Sequence, residues 1–172
     1  MIFPPSLRIP EYVQLPVLSI GERCEQNMTK LRNFYRILLL FWCFFIGIGA
    51  LSGSLCMFLD PSGITFGMDG FLPAFTKLPF ASLLFSNLIF PGIALLIVND
   101  ITQFGAAFLL LRRHPAGAKM GILCGALLMA WICIQFVIFP FNFLSTAYFI
   151  FGLLELCTGI LLLHAEKSLC AA

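Results

Sequence analysis

Five polar side chains interrupt the long apolar stretches of this chain, and their types could support chemistry inside a membrane. They are Asn99, Asp100, Gln103, Gln135 and Glu155. A charged carboxylate at the centre of a bilayer costs about 2.5–3.5 kcal/mol on insertion scales, so it normally faces protein or water rather than lipid. We therefore predict that these residues form a candidate polar site within the membrane, and that the helices carrying them pack against one another.

The two acids could lie close together. Counted from the helix ends predicted to be cytoplasmic, at about 1.5 Å per residue, Asp100 lies roughly 17 Å deep and Glu155 roughly 13 Å deep. The sequence has no lysine or arginine at that depth to neutralise them. In one interpretation they form a proton or cation site, with Asn99 and Gln103 as neutral ligands. In the other, which the sequence favours, both acids are protonated and hydrogen-bonded and hold the helices together; pairing with a second subunit or a partner protein stays open.

The composition of the chain is that of a multi-pass membrane protein. Of its 172 residues, 60% are hydrophobic and only 10% are charged, whereas a soluble domain has about 25% charged residues. The net charge of +2 and the lack of a basic patch argue against a nucleic-acid partner. The lipid bilayer is therefore the predicted partner.

Four apolar stretches are long enough to cross a bilayer core about 30 Å thick. The predicted spans are 37–59, 91–111 with an outer extension from 80 and a kink at Pro91, 120–139 and 143–163. They form a predicted transmembrane domain, 36–167, between a disordered N-terminal segment, 1–35, and a short tail, 168–172. Their connections predict an all-α, up-down four-helix bundle.

The N-terminal region leaves two alternatives open. A cleaved signal peptide would also have an apolar core, but the run through Leu59 exceeds the usual length of about 7–15 residues, which favours an uncleaved span. Met28 precedes a short basic segment and the first apolar run, so translation could begin there or at Met1.

The basic residues predict the orientation of the bundle. Those on one side are Lys30, Arg32, Arg36, Arg112, Arg113, Lys119 and Lys167. The opposite side has only Lys77. Because basic residues concentrate on the cytoplasmic side, both termini are predicted to be cytoplasmic.

Glycines at helical spacing mark candidate faces for close helix packing. They are Gly49, Gly53, Gly117, Gly121, Gly125, Gly152 and Gly159. Small residues at such spacing let helix backbones approach closely. These faces predict tight packing within the bundle or between copies in a homo-oligomer.

Motifs for the common enzyme classes are missing from the sequence. It has no P-loop, no HExxH and no GxSxG, and no pair of cysteines has the CxxC spacing of a redox or zinc site. We therefore predict no catalytic residue, no cofactor and no metal site. The enzyme alternative is a lipid-modifying activity at the outer mouth, where Asp60, Asp69 and Gln135 could cluster.

An ordered set of short motifs resembles a small bacterial family of four-span membrane proteins. The set is DPSG after the first span, Pro79-Phe80, Pro91-Gly92, Asn99, RRHP, and the segment from Trp131 to Gln135. The resemblance covers Met28 to Leu163 and implies a four-helix bundle in a bacterial cytoplasmic membrane, without implying a mechanism. In that family a small residue follows the asparagine, whereas here it is Asp100, so the resemblance favours Glu155 as the less idiosyncratic acid.

Taken together, these features predict a binding, accessory or structural membrane component, alone or with a membrane partner protein. A small proton- or cation-coupled transporter or channel component that uses Asp100 and Glu155 is the first alternative. The membrane-embedded lipid-modifying enzyme is the second.

Overall fold

Four long helices account for most of the chain in this computed structural model, which describes residues 20–75, 84–138 and 141–171. The helices are α1 (Ile20–Leu59), the short α2 (Phe71–Phe75), α3 (Ile89–Leu111), α4 (Gly117–Ile138) and α5 (Phe143–Ala171). All except α2 are long and apolar enough to cross a membrane. The predicted all-α class with four apolar spans is therefore confirmed.

The four long helices form an antiparallel ring in which each helix packs against its neighbours in sequence. Helix α1 packs on α3 and α5, and α4 packs on the same two helices from the opposite side. Contacts between α4 and α5 pair early positions with late ones, as when Gly125 meets Gly152 and Ile122 meets Gly159. This is the up-down arrangement that short connections favour.

Small and aliphatic side chains fill the middle of the bundle, while large apolar side chains cover its outside. The buried cluster contains Leu39, Cys43, Ala106, Ala107, Leu110, Ala118, Cys124 and Leu162. Outward-facing residues include Phe41, Phe108 and Val137, each more than half exposed. An exterior this apolar suits a lipid environment, because only lipid covers such a surface without cost.

Two helices extend beyond the apolar runs that predicted them. Helix α1 begins at Ile20, so residues 20–35 are helical where the sequence predicted disorder, while residues 1–19 lie outside the described part of the chain. Helix α5 continues to Ala171 instead of ending near 163. An ion pair between Arg36 and Glu166, 2.9 Å long, ties the two extensions together. Hydropathy reports only the lipid-covered part of a helix, which is why it missed these polar turns.

The predicted kink at Pro91 is wrong. Helix α3 begins at Ile89, so Pro91 lies in the first helical turn, where the backbone N–H that proline lacks would have no partner in the helix. Residues 85–88, just before α3, are not helical, and the Leu88 N–H donates to the carbonyl of Pro61, 2.9 Å away, which closes the loop. Residues 80–83 of the predicted extension lie outside the described residues.

Candidate intramembrane polar site

The middle of α3 is a π-helical segment, Leu96–Ile101. π turns are rare and often occur at functional sites, because the extra residue displaces the side chains around it. The carbonyls near the segment find side-chain donors: the Thr102 hydroxyl donates to the Val98 carbonyl, 2.6 Å away, and the Cys124 thiol donates to the Thr102 carbonyl, 3.3 Å away. The consecutive residues Asn99 and Asp100 are both buried in this segment.

Asp100 is bonded to α1. The Ser54 hydroxyl donates to Asp100 Oδ2 at 3.2 Å, and neither side chain is more than 2% exposed. Sequence reasoning did not identify Ser54. The signal that could have found it is the small-residue face of Gly47, Ala50 and Ser54, which recur at helical spacing and are all buried.

Glu155 joins three helices. Its Oε2 accepts a hydrogen bond from Gln103 Nε2 at 2.8 Å, and its Oε1 accepts one from the Cys43 thiol at 3.5 Å. The side chain of Glu155 has no exposed surface, and Gln103 is 1% exposed. A Cβ on Gly47 would be 3.3 Å from Gln103 Cβ, so this glycine permits the close approach of α1 and α3. Cys43 was not among the site residues predicted from the sequence.

Asp100 and Glu155 have separate partners instead of sharing one site. Within the described residues no hydrogen bond joins their carboxyl groups, and Gln103, one turn beyond Asp100 on α3, bonds to Glu155. Their partners on α1, Ser54 and Cys43, are roughly 16 Å apart along the helix at about 1.5 Å per residue. The structure thus brings Asn99, Asp100, Gln103 and Glu155 into one interior, with the acids at different levels.

Three side-chain atoms of α3 are buried without a hydrogen-bond partner among the described residues. They are Asn99 Nδ2, Asp100 Oδ1 and Gln103 Oε1. Buried polar atoms normally have partners, and each exception calls for an explanation. These three lie within one turn of the helix, next to or inside the π-helical segment.

Gln135, the fifth residue of the predicted polar set, forms its interhelical hydrogen bond apart from the other four. The Ser145 hydroxyl donates to Gln135 Oε1 at 3.1 Å, which joins the ends of α4 and α5. The Asn142 side chain accepts from the Ser145 N–H at 2.8 Å and orders the start of α5. Gln135 therefore belongs to the connection between two helices and not to the site around Asp100.

The outer loop uses its first acid to build a turn. The Asp60 carboxylate accepts hydrogen bonds from the Ser62 hydroxyl and from the Thr65 N–H, the latter 2.6 Å long. The hydrogen bond from the Ser62 hydroxyl is the main reason why the pKa of Asp60 lies below its usual 3.8. Gly63 follows with a φ of +75°, which suits a residue without a side chain. The bonds of Asp60 and Gln135 thus lie in different connections, and Asp69 is exposed.

The predicted packing glycines contact neighbouring helices of the same molecule. A Cβ on Gly125 would be 2.7 Å from the backbone nitrogen of Leu156, and one on Gly121 would be 2.7 Å from Leu39. Gly159 and Gly152 face α4 in the same way. A Cβ on Gly159 would be 2.8 Å from a side-chain atom of α4, and one on Gly152 would be 3.1 Å from another. The close packing that the spacing predicted therefore occurs within the bundle.

The remaining packing glycines give the same result. Gly49 faces the Tyr148 hydroxyl of α5, Gly53 faces Leu95 of α3, and Gly117 faces Leu110 at the tight turn between α3 and α4. All seven predicted packing glycines thus contact other parts of the same chain.

Neither the metal-ligating side chains nor the comparison with known proteins assigns a function to this site. In the part of the chain that the structure describes, no group of three or more His, Cys, Asp or Glu side chains could hold a metal ion. No family model, no curated protein and no solved structure matches this chain. The resemblance to a bacterial four-span family stays a prediction.

Proposed function

We propose that this protein is an integral component of the cytoplasmic membrane with a binding, accessory or structural role, and with both termini in the cytoplasm. The orientation is supported by the positions of the basic residues in the sequence. The role is supported by the way in which the interior is filled, because the buried acids act as bonds between helices.

The observation that carries the proposal is the set of hydrogen bonds linking α1, α3 and α5. Ser54 bonds to Asp100, and both Gln103 and Cys43 bond to Glu155. None of these five side chains is more than 2% exposed, so almost no surface of either acid is accessible to solvent among the described residues. Interhelical hydrogen bonds in membranes contribute about 0.6 kcal/mol each on average, up to about 1.7. Such an interior suits a rigid membrane component better than an open pore.

A second candidate function, proton or cation handling, is favoured by a different observation. The unpartnered atoms of Asn99, Asp100 and Gln103 lie beside a π-helical segment, and no basic side chain in the described residues forms an ion pair with either acid. Ionisable residues inside membranes often mark ion or proton pathways. No comparable observation favours a lipid-modifying enzyme.

Flux measurements on the full-length protein in liposomes separate the two candidates. We expect proton and sodium flux to equal that of empty liposomes, while Asp100→Asn and Glu155→Gln change only the thermal unfolding midpoint. Gln135→Leu, which removes a partly buried interhelical hydrogen bond outside the interior group, is the matched control. A flux that Asp100→Asn or Glu155→Gln abolishes and Gln135→Leu retains would overturn the first candidate in favour of the second.

Reporter fusions at the C-terminus test the orientation. We expect a fused green fluorescent protein to be fluorescent and a fused periplasmic alkaline phosphatase to be inactive, because the former works in the cytoplasm and the latter outside it. An active phosphatase fusion would contradict the proposed cytoplasmic C-terminus.

A further inference from the structure

Three unpartnered buried atoms of α3 form a complementary set. Asn99 Nδ2 is a hydrogen-bond donor, whereas Asp100 Oδ1 and Gln103 Oε1 are acceptors. Their residues are at most 2% exposed and span one helical turn, roughly 6 Å along the axis. The other carboxyl oxygen of Asp100, Oδ2, already accepts from Ser54, and the amide nitrogen of Gln103 already donates to Glu155. These bonds fix the orientation of both side chains.

The donor and acceptor types of these three atoms determine which small species would suit them. A metal cation would suit the two oxygens but would face the amide hydrogens of Asn99. A proton on Asp100 could pair the carboxyl with Gln103, yet it would leave the Asn99 donor without a partner. A water molecule accepts one hydrogen bond and donates two, which matches one donor and two acceptors. Buried waters in proteins typically make about three such bonds to polar groups that otherwise have no partner.

We propose that a buried water molecule binds beside the π-helical segment, accepting from Asn99 and donating to Asp100 and Gln103. This water joins two groups of bonds into one network, from Ser54 through Asp100 and Gln103 to Glu155 and Cys43. The two carboxyl groups are then connected although they do not touch. The inference rests on the membrane placement in the proposed function, but not on whether any ion crosses.

The network gives Asn99 and Gln103 distinct roles that a purely structural core would not require. Asn99 orients the water, and Gln103 transmits its position to Glu155. A change at Glu155 is therefore expected to alter the hydrogen bonding of Asp100, on the other side of the network. The carboxyl stretching band of Asp100, assigned with Asp100→Asn, should shift when Glu155 is replaced by Gln and stay in place in Gln135→Leu.

A high-resolution crystal structure of the full-length protein in lipid tests the site directly, with crystals soaked in thallium(I) as a monovalent-cation probe. We expect a density peak within about 2.7–3.2 Å of all three atoms, without an anomalous thallium signal. An anomalous peak at this position would show that a cation binds there instead of water and would overturn the proposal. A structure without density there would overturn it as well.

Infrared spectroscopy of the protein in lipid nanodiscs gives an independent readout through exchange of water for its ¹⁸O form. We expect an isotope-sensitive O–H stretching band of bound water in the natural protein and in Gln135→Leu, and its loss in Asn99→Leu. Asn99→Ala serves as the second variant if leucine prevents folding. A band that survives both Asn99 changes, or that the natural protein lacks, would overturn the proposal. Flotation of the protein with liposomes reports membrane placement separately, so failure of that premise is distinguishable from absence of the water.

Discussion

Polar side chains in the interior of the bundle and those at its connections find their partners over different distances in sequence. At the connections, Asp60 bonds to Ser62 two residues away, and Gln135 bonds to Ser145 ten residues away. In the interior, the bond to Asp100 crosses 46 residues, and the bonds to Glu155 cross 52 and 112 residues. The connections are thus locally determined, whereas the interior polar group depends on correct packing of three helices.

The turn at Asp60 and the interior group around Asp100 also differ in whether their side-chain polar atoms all have hydrogen-bond partners. The Asp60 carboxylate uses both of its oxygens within its own turn. The interior leaves one atom each of Asn99, Asp100 and Gln103 without a partner among the described residues. A local turn can adjust until its bonds are made, but a packed interior fixes side chains where the helices place them. A function that requires an unpaired polar group is therefore better suited to the interior than to the turn at Asp60.

The largest expected effect comes from breaking the interior bonds at their centre. Glu155→Leu leaves the buried Gln103 amide and the Cys43 thiol without their acceptor, and we expect a loss of about 3 kcal/mol in the free energy of unfolding. Gln135→Leu is the matched change at a connection, with an expected loss of about 1 kcal/mol. Reversible unfolding of the purified protein in mixed micelles measures both. Equal losses would remove the proposed distinction between the two regions.

Helix separation in the interior is tested by a pair of glycines. Gly125→Ala places a methyl group 2.7 Å from the backbone of Leu156, and we expect it to cost about 2 kcal/mol because backbone cannot move aside as a side chain can. Gly105→Ala is the control, since a Cβ there meets nothing within 4 Å. Thermal unfolding midpoints of the two variants compare them. If Gly105→Ala were the more damaging change, the assigned packing of α4 on α5 would be wrong.

Two serines on the same helix sharpen the comparison further. Ser54→Ala removes the donor to buried Asp100, and the expected loss is about 1 kcal/mol. Ser52→Ala removes a hydroxyl that is exposed and bonded to a carbonyl of its own helix, and we expect a change within about 0.5 kcal/mol. The same unfolding measurement applies to both. A Ser52 variant as unstable as the Ser54 variant would argue against the bond between α1 and Asp100.

The smallest effect belongs to the outer turn and depends on pH. Because the pKa of Asp60 in the folded protein lies below its usual 3.8, its contribution to stability is present above that value and is lost as pH falls through the lower, folded pKa. We expect the thermal midpoint to decline less steeply below about pH 4 in Asp60→Asn than in the natural protein. Asp69→Asn, at an exposed carboxylate of the same loop, is the control and should retain the natural slope.

Several features of the fold were predictable because single residues or short runs determine them. The four apolar runs predicted the spans, and the predicted end of the first span at residue 59 coincides with the end of α1 at Leu59. The spacing of Gly121 and Gly125 indicated a close-packed face. The kink at Pro91 was wrongly predicted because proline occurs both at helix kinks and in the first turn of a helix. Only the position of the helix start distinguishes the two cases.

The candidate site was predictable in part. The cost of polar groups in lipid correctly placed Asn99, Asp100, Gln103 and Glu155 in the interior, since that cost depends only on residue type and depth. It also grouped Gln135 with these residues, whereas the hydrogen bond of Gln135 is to the neighbouring α5. It could not identify Ser54 or Cys43 as partners, because serine and cysteine are ordinary residues in membrane helices and carry no sign of what they contact.

The sequence by itself determined that this chain is built from four membrane-length apolar helices with acids turned away from lipid. The physical basis of this result is the solvation of each side chain, which is a property of the residue and its immediate neighbours. Only the tertiary structure decided the π-helical segment in α3, the level of each acid, and its partners on α1 and α3. Those features arise where backbones from distant parts of the chain meet, and the packing of small residues such as Gly47 sets the distance at which they meet.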